Sequence, residues 1–206
     1  MSCCAQSKMS IVLAAGLAGG MLIQASLSRS DAIQPESDAM QDSMSEYQNE
    51  MMEIMKLGQP GEHHKYLDNL VGDWNAHVEF YGPDGSVMAG DGTMTAEWVL
   101  DGRFVRSNFD MPDFMGAPFH GISYNGYDNY KQQYVSVWMD SMSTAIISNS
   151  SEIDGDQFIT VGPNGHGGTM KIVSVFENDN MSQDTFYEQL DDGSWKKSGT
   201  ITYTRK

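Results

Sequence analysis

Short alternating segments separated by turn sequences fill the chain from Trp74 onward, and this pattern constrains the fold more than any other feature. The turn sequences are rich in Gly, Asp, Asn and Pro, and they are GPDG at 82–85, DG at 101–102, MPDFMGAP at 111–118, DNYK at 128–131, DSMS at 140–143, DGD at 154–156, GPNGHGG at 162–168, NDN at 178–180 and DDGS at 191–194. The segments between them predict about ten strands of roughly eight to ten residues each.

The short connections limit how these strands are arranged. Parallel strands need long crossovers, so hairpin-length links predict an antiparallel meander. A meander of about ten strands avoids exposed edges by closing on itself. We therefore expect an all-β, closed or nearly closed barrel rather than a flat-sided sandwich, whose Greek-key crossings need longer links. A barrel of this size has room for a small ligand unless side chains fill it.

The segment before the barrel predicts a linker and two helices. Residues 33–45 (IQPESDAMQDSMS) are polar and without periodicity, which is typical of a disordered linker. A helix is predicted over residues 45–58, and a shorter one over EHHKYLDNLVG leads to Trp74. The barrel domain, with these helices as lids, is therefore predicted over residues 46–206.

Methionines form an apolar stripe on the first of these helices. Met44, Met51 and Met55 fall on one helical face, with Met52 beside it. Such a stripe is typical of adaptable packing, so we expect this helix to cover one end of the barrel.

The first 32 residues have the layout of a secretory signal. Lys8 precedes a short apolar run at residues 11–23, and small residues follow it. The expected location is therefore periplasmic or extracellular after cleavage, and an uncleaved segment would act as an N-terminal anchor. The two cysteines, Cys3 and Cys4, lie within this segment. A cleaved protein would therefore contain no disulfide, thiolate nucleophile or cysteine metal site.

The chain is strongly acidic, with a formal net charge of −16. An acidic chain without a Lys/Arg cluster is a poor partner for nucleic acids or anionic lipid surfaces. A small molecule is the partner that the predicted barrel favours, and the sequence leaves the oligomeric state open.

Four stretches together resemble a known family. They occur in the order MKLGQPGEHHKYLDNLVGDW, DGRFVRSNF, FMGAPFHGISYNGYDNYKQQYVSVWMDSMSTAI and the closing YTRK. Over residues 51–206 the chain resembles the domain-of-unknown-function 1579 family, which looks like part of the calycin group of lipocalins, fatty-acid-binding proteins and nitrobindin-type haem proteins. The resemblance implies a calycin-like barrel. Gly72-Asp73-Trp74 is similar to the lipocalin Gly-x-Trp signature, and the likeness implies that Arg205 packs across Trp74 and plugs one end.

Two arginines after the DG turn lie on opposite faces of the third predicted strand. One of Arg103 and Arg106 is expected to point inward, where a guanidinium needs a carboxylate partner or a ligand anion. Fatty-acid-type calycins use such an arginine for a carboxylate ligand, so the resemblance makes Arg106 a candidate anchor. An internal ion pair is the alternative.

Aromatic residues and one histidine complete the set of candidate ligand contacts. The expected wall residues are Phe104, Tyr124, Trp138 and Tyr203. Nitrobindin-like relatives hold haem through a histidine in the barrel mouth, and His120 is the best-placed candidate for that role. Without haem, no metal or other cofactor is expected.

Motifs of known enzymes are missing from the sequence, which contains no Gly-x-Ser-x-Gly elbow, His-Glu-x-x-His, P-loop or Rossmann glycine pattern. We therefore expect a non-catalytic, exported barrel that holds a small, mostly apolar ligand. Two alternatives stay open: a haem barrel acting on small oxidants, and an envelope interaction module whose barrel is filled by side chains.

Overall fold

Ten antiparallel strands close into one barrel in the order β1-β10-β9-β8-β7-β6-β5-β4-β3-β2. A computed structural model describes residues 34–206, so the predicted signal segment lies outside the described residues. The strands are β1 Gly72–Tyr81, β2 Val87–Val99, β3 Phe104–Phe114, β4 Ala117–Asp128, β5 Gln133–Asp140, β6 Ile147–Asp154, β7 Gln157–Pro163, β8 Thr169–Asn178, β9 Met181–Gln189 and β10 Trp195–Arg205. The predicted all-β barrel is confirmed.

The barrel closes between its first and last strands. β1 pairs with β10 from Trp74 opposite Arg205 to Phe80 opposite Gly199. Every other pair joins strands that follow one another in the chain. The fold is therefore the predicted meander, and it leaves no free sheet edge.

Among residues 34–71, three helical segments precede the barrel: α1 Gln34–Leu57, α2 Glu62–Lys65 and a 3₁₀ segment Tyr66–Leu70. The first is longer than expected, because the predicted linker at 33–45 falls within α1 from Gln34 onward. No Gly or Pro interrupts residues 36–57, and Pro35 lies in the first turn, where a missing N–H costs nothing. Of the described residues, 34–48 belong to one unit and 49–206 to another, and all ten strands belong to the second unit.

α2 and the 3₁₀ segment cover one end of the barrel, which we call the capped end. Leu67 is almost fully buried there, and the Tyr66 ring stacks on Phe158 with 5.5 Å between centroids. The His63 ring stacks on Tyr127 at 4.2 Å. The Tyr134 hydroxyl donates a hydrogen bond to the His63 carbonyl oxygen at 3.1 Å. These contacts fix the short helical segments to β4, β5 and β7.

The methionine stripe of α1 does not provide this cover. Met51, Met52 and Met55 are 38, 59 and 63 % exposed. The expectation that they cover a barrel end is therefore wrong. The side chains of the shorter segments occupy this end instead, with Leu67 buried and Tyr66 stacked on Phe158.

Candidate functional site

The barrel interior is tightly packed on one side and incompletely filled on the other. Inward-facing Trp74, Val78, Val105 and Ile201, on β1, β3 and β10, are buried. Several inward-facing residues of β4, β5, β8 and β9 keep part of their surface accessible, and these are Ser123, Asn125, Ser136, Trp138, Ile172, Ser174, Asp184 and Phe186. Side chains that point inward and stay partly accessible border unfilled space. We call this space the interior chamber.

Aromatic rings line the barrel at the end opposite the cap. The centroids of Phe80 and Phe186 are 5.8 Å apart, those of Phe114 and Phe119 are 5.5 Å apart, and the Phe119 and Trp138 rings stack at 6.3 Å. We call these residues the aromatic cluster. Rings at these separations are in favourable contact, so the cluster forms an apolar wall at this end of the chamber.

Inward-facing glycines make room for two of these rings. A Cβ atom on Gly121 would collide with the Trp138 ring, and one on Gly199 would collide with the Phe80 ring. Asp140 orients Trp138, because the indole Nε1–H donates to its carboxylate at 2.9 Å. The same carboxyl group accepts hydrogen bonds from the backbone N–H groups of Met142 and Ser143. Trp138 is thus held flat against β4.

A carboxyl group lies in the middle of the barrel. Asp184 faces inward from β9, opposite Ser174 on β8 and Ile201 on β10. Burial raises the pKa of Asp184 from 3.8 to about 6, and the Ser174 hydroxyl lowers it in part. Tyr203 lies one inward position nearer the cap, and burial together with Asp184 raises its pKa well above the ordinary value. The chamber therefore combines an apolar wall at one end with a polar centre.

The capped end is sealed by a cation over an aromatic ring. The Arg205 guanidinium carbon lies 4.1 Å from the Trp74 ring centroid. Arg205 Nη1 donates to the Val71 carbonyl oxygen and Nε donates to the Asp179 carbonyl oxygen, both at 2.8 Å. The Trp74 indole N–H donates to the Leu70 carbonyl oxygen at 3.0 Å. This is the contact that the resemblance implied for Arg205, and it leaves Trp74 no surface for a ligand.

Six residues were expected to contact a ligand, and two of them point into the barrel. Trp138 belongs to the aromatic cluster, and Tyr203 lies beside Asp184. The expected roles of the other four as contacts inside the barrel are wrong, because successive strand residues alternate between faces. These four outward-facing residues are Phe104, Arg106, His120 and Tyr124.

Each charged residue of these four has a partner on the outer surface. Arg106 Nη2 donates to Glu97 Oε1 at 2.6 Å, so it forms neither a ligand anchor nor an internal ion pair. His120 Nδ1 lies 2.6 Å from Asp110 Oδ1, away from the barrel mouth where a haem ligand was expected. Arg103 does not point inward either, because its Nε donates to the Gly58 carbonyl oxygen near the cap.

Sequence reasoning missed the polar residues of the chamber. Ser182, Asp184 and Phe186 alternate within MSQDTFYEQ, and their outward neighbours are Gln183, Thr185 and Tyr187. Both faces of this strand mix polar and aromatic residues, so alternation alone cannot identify the inward one. The available signal was Asp184 itself, a single acidic residue on the same strand face as Ser182 and Phe186.

A further cavity of the described residues lies outside the chamber. A cleft of about 590 Å³ runs from His63 past the β4–β5 turn to Val161 on β7. Within residues 34–206, no three His, Cys, Asp or Glu side chains come together in a way that suits a metal ion. In the same range, no helix is both long and apolar enough to cross a membrane.

Comparison with known proteins gives a family and a fold. The sequence model of a family described as "Protein of unknown function (DUF1579)" matches residues 59–205. No curated protein matches the chain.

Several solved structures resemble the barrel, among them the following two. The S-type phycobiliprotein lyase CPES from Guillardia theta has a TM-score of 0.50 and 9 % identity, and the match covers 70 % of this chain and 92 % of the lyase. The protein Rv2717c from M. tuberculosis has a TM-score of 0.53 and 10 % identity, and the match covers 72 % of this chain and 99 % of that protein. At these identities the likeness extends to the fold alone.

Proposed function

This chain belongs to the DUF1579 family, which is described only as a family of proteins of unknown function, and from the geometry of its own barrel we propose that it binds a small molecule in the interior chamber. The observation that carries this proposal is the partial exposure of inward-facing residues on β4, β5, β8 and β9. A barrel whose only task was stability would gain by filling this space with larger apolar side chains. Here three of the inward positions are instead small and polar, namely Ser123, Ser136 and Ser174.

The lining indicates what the ligand is like. The aromatic cluster favours a ligand whose body is aromatic or otherwise apolar. Ligand pockets are usually lined mainly by such apolar and aromatic side chains. The hydroxyl, amide and carboxyl groups nearer the middle favour a polar group at the inner end of the molecule. A mostly apolar ligand with one polar end satisfies both regions.

The partly empty chamber also separates this proposal from an interaction module with a filled barrel. A filled barrel leaves its inward positions buried, as Val105 and Trp74 are. Ser136 and Trp138, on the opposite wall, are not buried in this way.

A neutral naphthyl probe tests the proposal. We expect 2-naphthalenemethanol to bind the wild-type protein in isothermal titration calorimetry. Ser136→Phe places a ring in the chamber and is expected to weaken binding at least ten-fold. Val137→Phe adds the same ring on the outer face of the same strand and is expected to leave binding unchanged. Absence of binding to the wild type, or equal binding by both variants, would contradict the proposal.

We further propose that this binding takes place outside the cytoplasm. The support is the sequence layout of residues 1–32, in which one lysine precedes a short apolar run. The intact mass of protein recovered from the native host tests it. A chain shortened by about 30 residues supports export with cleavage, and a full-length chain in the cytosolic fraction contradicts it.

A further inference from the structure

The carboxyl group of Asp184 is the feature of the chamber that the proposed function leaves unexplained. It lies at mid-height of the barrel, with Ser174 opposite on β8 and Ile201 opposite on β10. The residue keeps part of its surface accessible although its side chain points inward, which places the carboxyl group beside the chamber. A carboxyl group in such a place is costly unless something balances its charge.

No basic side chain of the described residues provides that balance. Asp184 takes part in none of the ion pairs of residues 34–206, and burial and the Ser174 hydroxyl are what shift its pKa. Lys171 lies over the rings of Tyr187 and Trp195 on the outer face. Arg205 is held at the capped end over Trp74.

The other titratable groups inside the barrel do not neutralise Asp184 either. Tyr203, on β10, is the titratable group beside it, and it is neutral at physiological pH because burial raises its pKa. Asp140, at the opposite end, is engaged by Trp138 and two backbone N–H groups. Glu188, on the same strand as Asp184, is exposed at the rim. The interior therefore carries negative charge facing open space.

We propose that the chamber selects molecules that carry a cationic amine next to an aromatic body, with Asp184 as the counterion. This inference rests on the proposed binding function and adds the chemical class of the ligand. An ammonium group restores the charge balance that the protein itself lacks, and it donates hydrogen bonds to the carboxylate. The rings of the aromatic cluster take up the apolar part of the molecule, and their faces also attract cations.

The same geometry makes binding depend on pH. The pKa of Asp184, raised to about 6 by burial, places its titration just below neutrality. At pH 8 the carboxylate is charged and attracts the amine. At pH 5 the carboxyl group is mostly protonated, so the affinity for an amine falls about ten-fold.

A matched pair of probes tests the inference by isothermal titration calorimetry. The amine is 2-naphthylmethylamine, and the neutral reference is 2-naphthalenemethanol, which has the same ring system. At pH 8 we expect wild type to bind the amine at least ten-fold more tightly than the alcohol. At pH 5 this preference is expected to be about ten-fold smaller.

Two variants assign the preference to one carboxylate. Asp184→Asn is expected to abolish the preference and to keep the affinity for the alcohol. Asp191→Asn removes an equal charge from the exposed β9–β10 turn and is expected to keep the preference. Equal affinities for amine and alcohol in the wild type, or a preserved preference in Asp184→Asn, would overturn the inference while leaving the binding function intact. Failure of both probes to bind the wild type would instead overturn the binding function itself.

Discussion

The guanidinium of Arg205 lies 4.1 Å above the Trp74 ring and joins the last residue of β10 to the start of β1. Its two hydrogen bonds to the Val71 and Asp179 carbonyl oxygens hold it in that position. The barrel is thus closed twice at this point, once by the β1–β10 ladder and once by this stack. The contact explains the Gly72-Asp73-Trp74 triplet, since a Cβ atom at residue 72 would collide with Arg205 Nη1.

Arg205→Ala is expected to destabilise the protein by about 2 to 4 kcal/mol, because it removes the cation–π contact and two charge-assisted hydrogen bonds. Urea denaturation followed by far-ultraviolet circular dichroism measures this. Arg106→Ala is the control, since Arg106 forms a surface ion pair with Glu97 and its loss is expected to cost less than about 1 kcal/mol. Equal losses for the two variants would contradict the role assigned to Arg205.

Gly72→Ala is expected to be among the more damaging glycine substitutions. Residue 72 has φ of +133°, and its new methyl group would collide with Arg205. Backbone strain of about 1 to 3 kcal/mol adds to the displacement of the guanidinium. Gly85→Ala is the matched control, because Gly85 also has a positive φ but nothing lies within 4 Å of its Cβ position. The difference between the melting temperatures of the two variants measures the clash. Equal melting temperatures would show that Arg205 is not the reason for glycine at residue 72.

Asp184→Asn is expected to stabilise the protein at pH 8 and to leave its stability nearly unchanged at pH 4. The pKa of Asp184 rises from 3.8 to about 6 in the folded state, so the folded protein holds this proton more tightly than the unfolded chain does. Its contribution to stability therefore falls as pH rises from about 4 to about 6 and then stays constant. The full cost corresponds to about 3 kcal/mol, which the amide avoids.

The difference in unfolding free energy between Asp184→Asn and wild type, measured from pH 4 to pH 8, checks this expectation. Asp191→Asn, in an exposed turn, is expected to change stability by less than about 0.5 kcal/mol across the range. A pH-independent difference for Asp184→Asn would show that the carboxyl group is not desolvated.

Substitutions at Trp138 and Tyr124 are expected to separate the inner wall from the outer surface. Trp138→Ala removes a ring of the aromatic cluster and is expected to weaken binding of 2-naphthalenemethanol about ten-fold or more. Tyr124→Ala removes a ring from the outer face of β4 and is expected to leave the affinity unchanged. Calorimetric titration of both variants decides this, and a larger effect at Tyr124 would place the ligand outside the barrel.

The barrel itself was predictable because turn chemistry is local. Turn sequences such as GPDG and DDGS between alternating segments predict hairpins. Links this short permit only an antiparallel meander. The inward face of β1 was equally predictable, since Trp74, Ala76 and Val78 alternate with polar residues.

The inner face of β3 was not predictable in the same way. Its inward residues Val105 and Ser107 alternate with Phe104 and Arg106, so each face carries one apolar and one polar residue at this point. The deciding influence is the register with β2 and β4, which is a tertiary property. For the same reason Asp184 was missed, because its place inside the barrel depends on the pairing of β9 with β8 and β10.

The most direct test is a crystal structure of the protein with 2-naphthylmethylamine bound. The naphthyl ring is expected among Phe80, Phe119, Trp138 and Phe186, and the amine nitrogen within about 2.7 to 3.2 Å of an Asp184 carboxylate oxygen. Electron density for the probe only on the outer surface, or an interior filled by side chains with no space for it, would show that the chamber does not bind the amine.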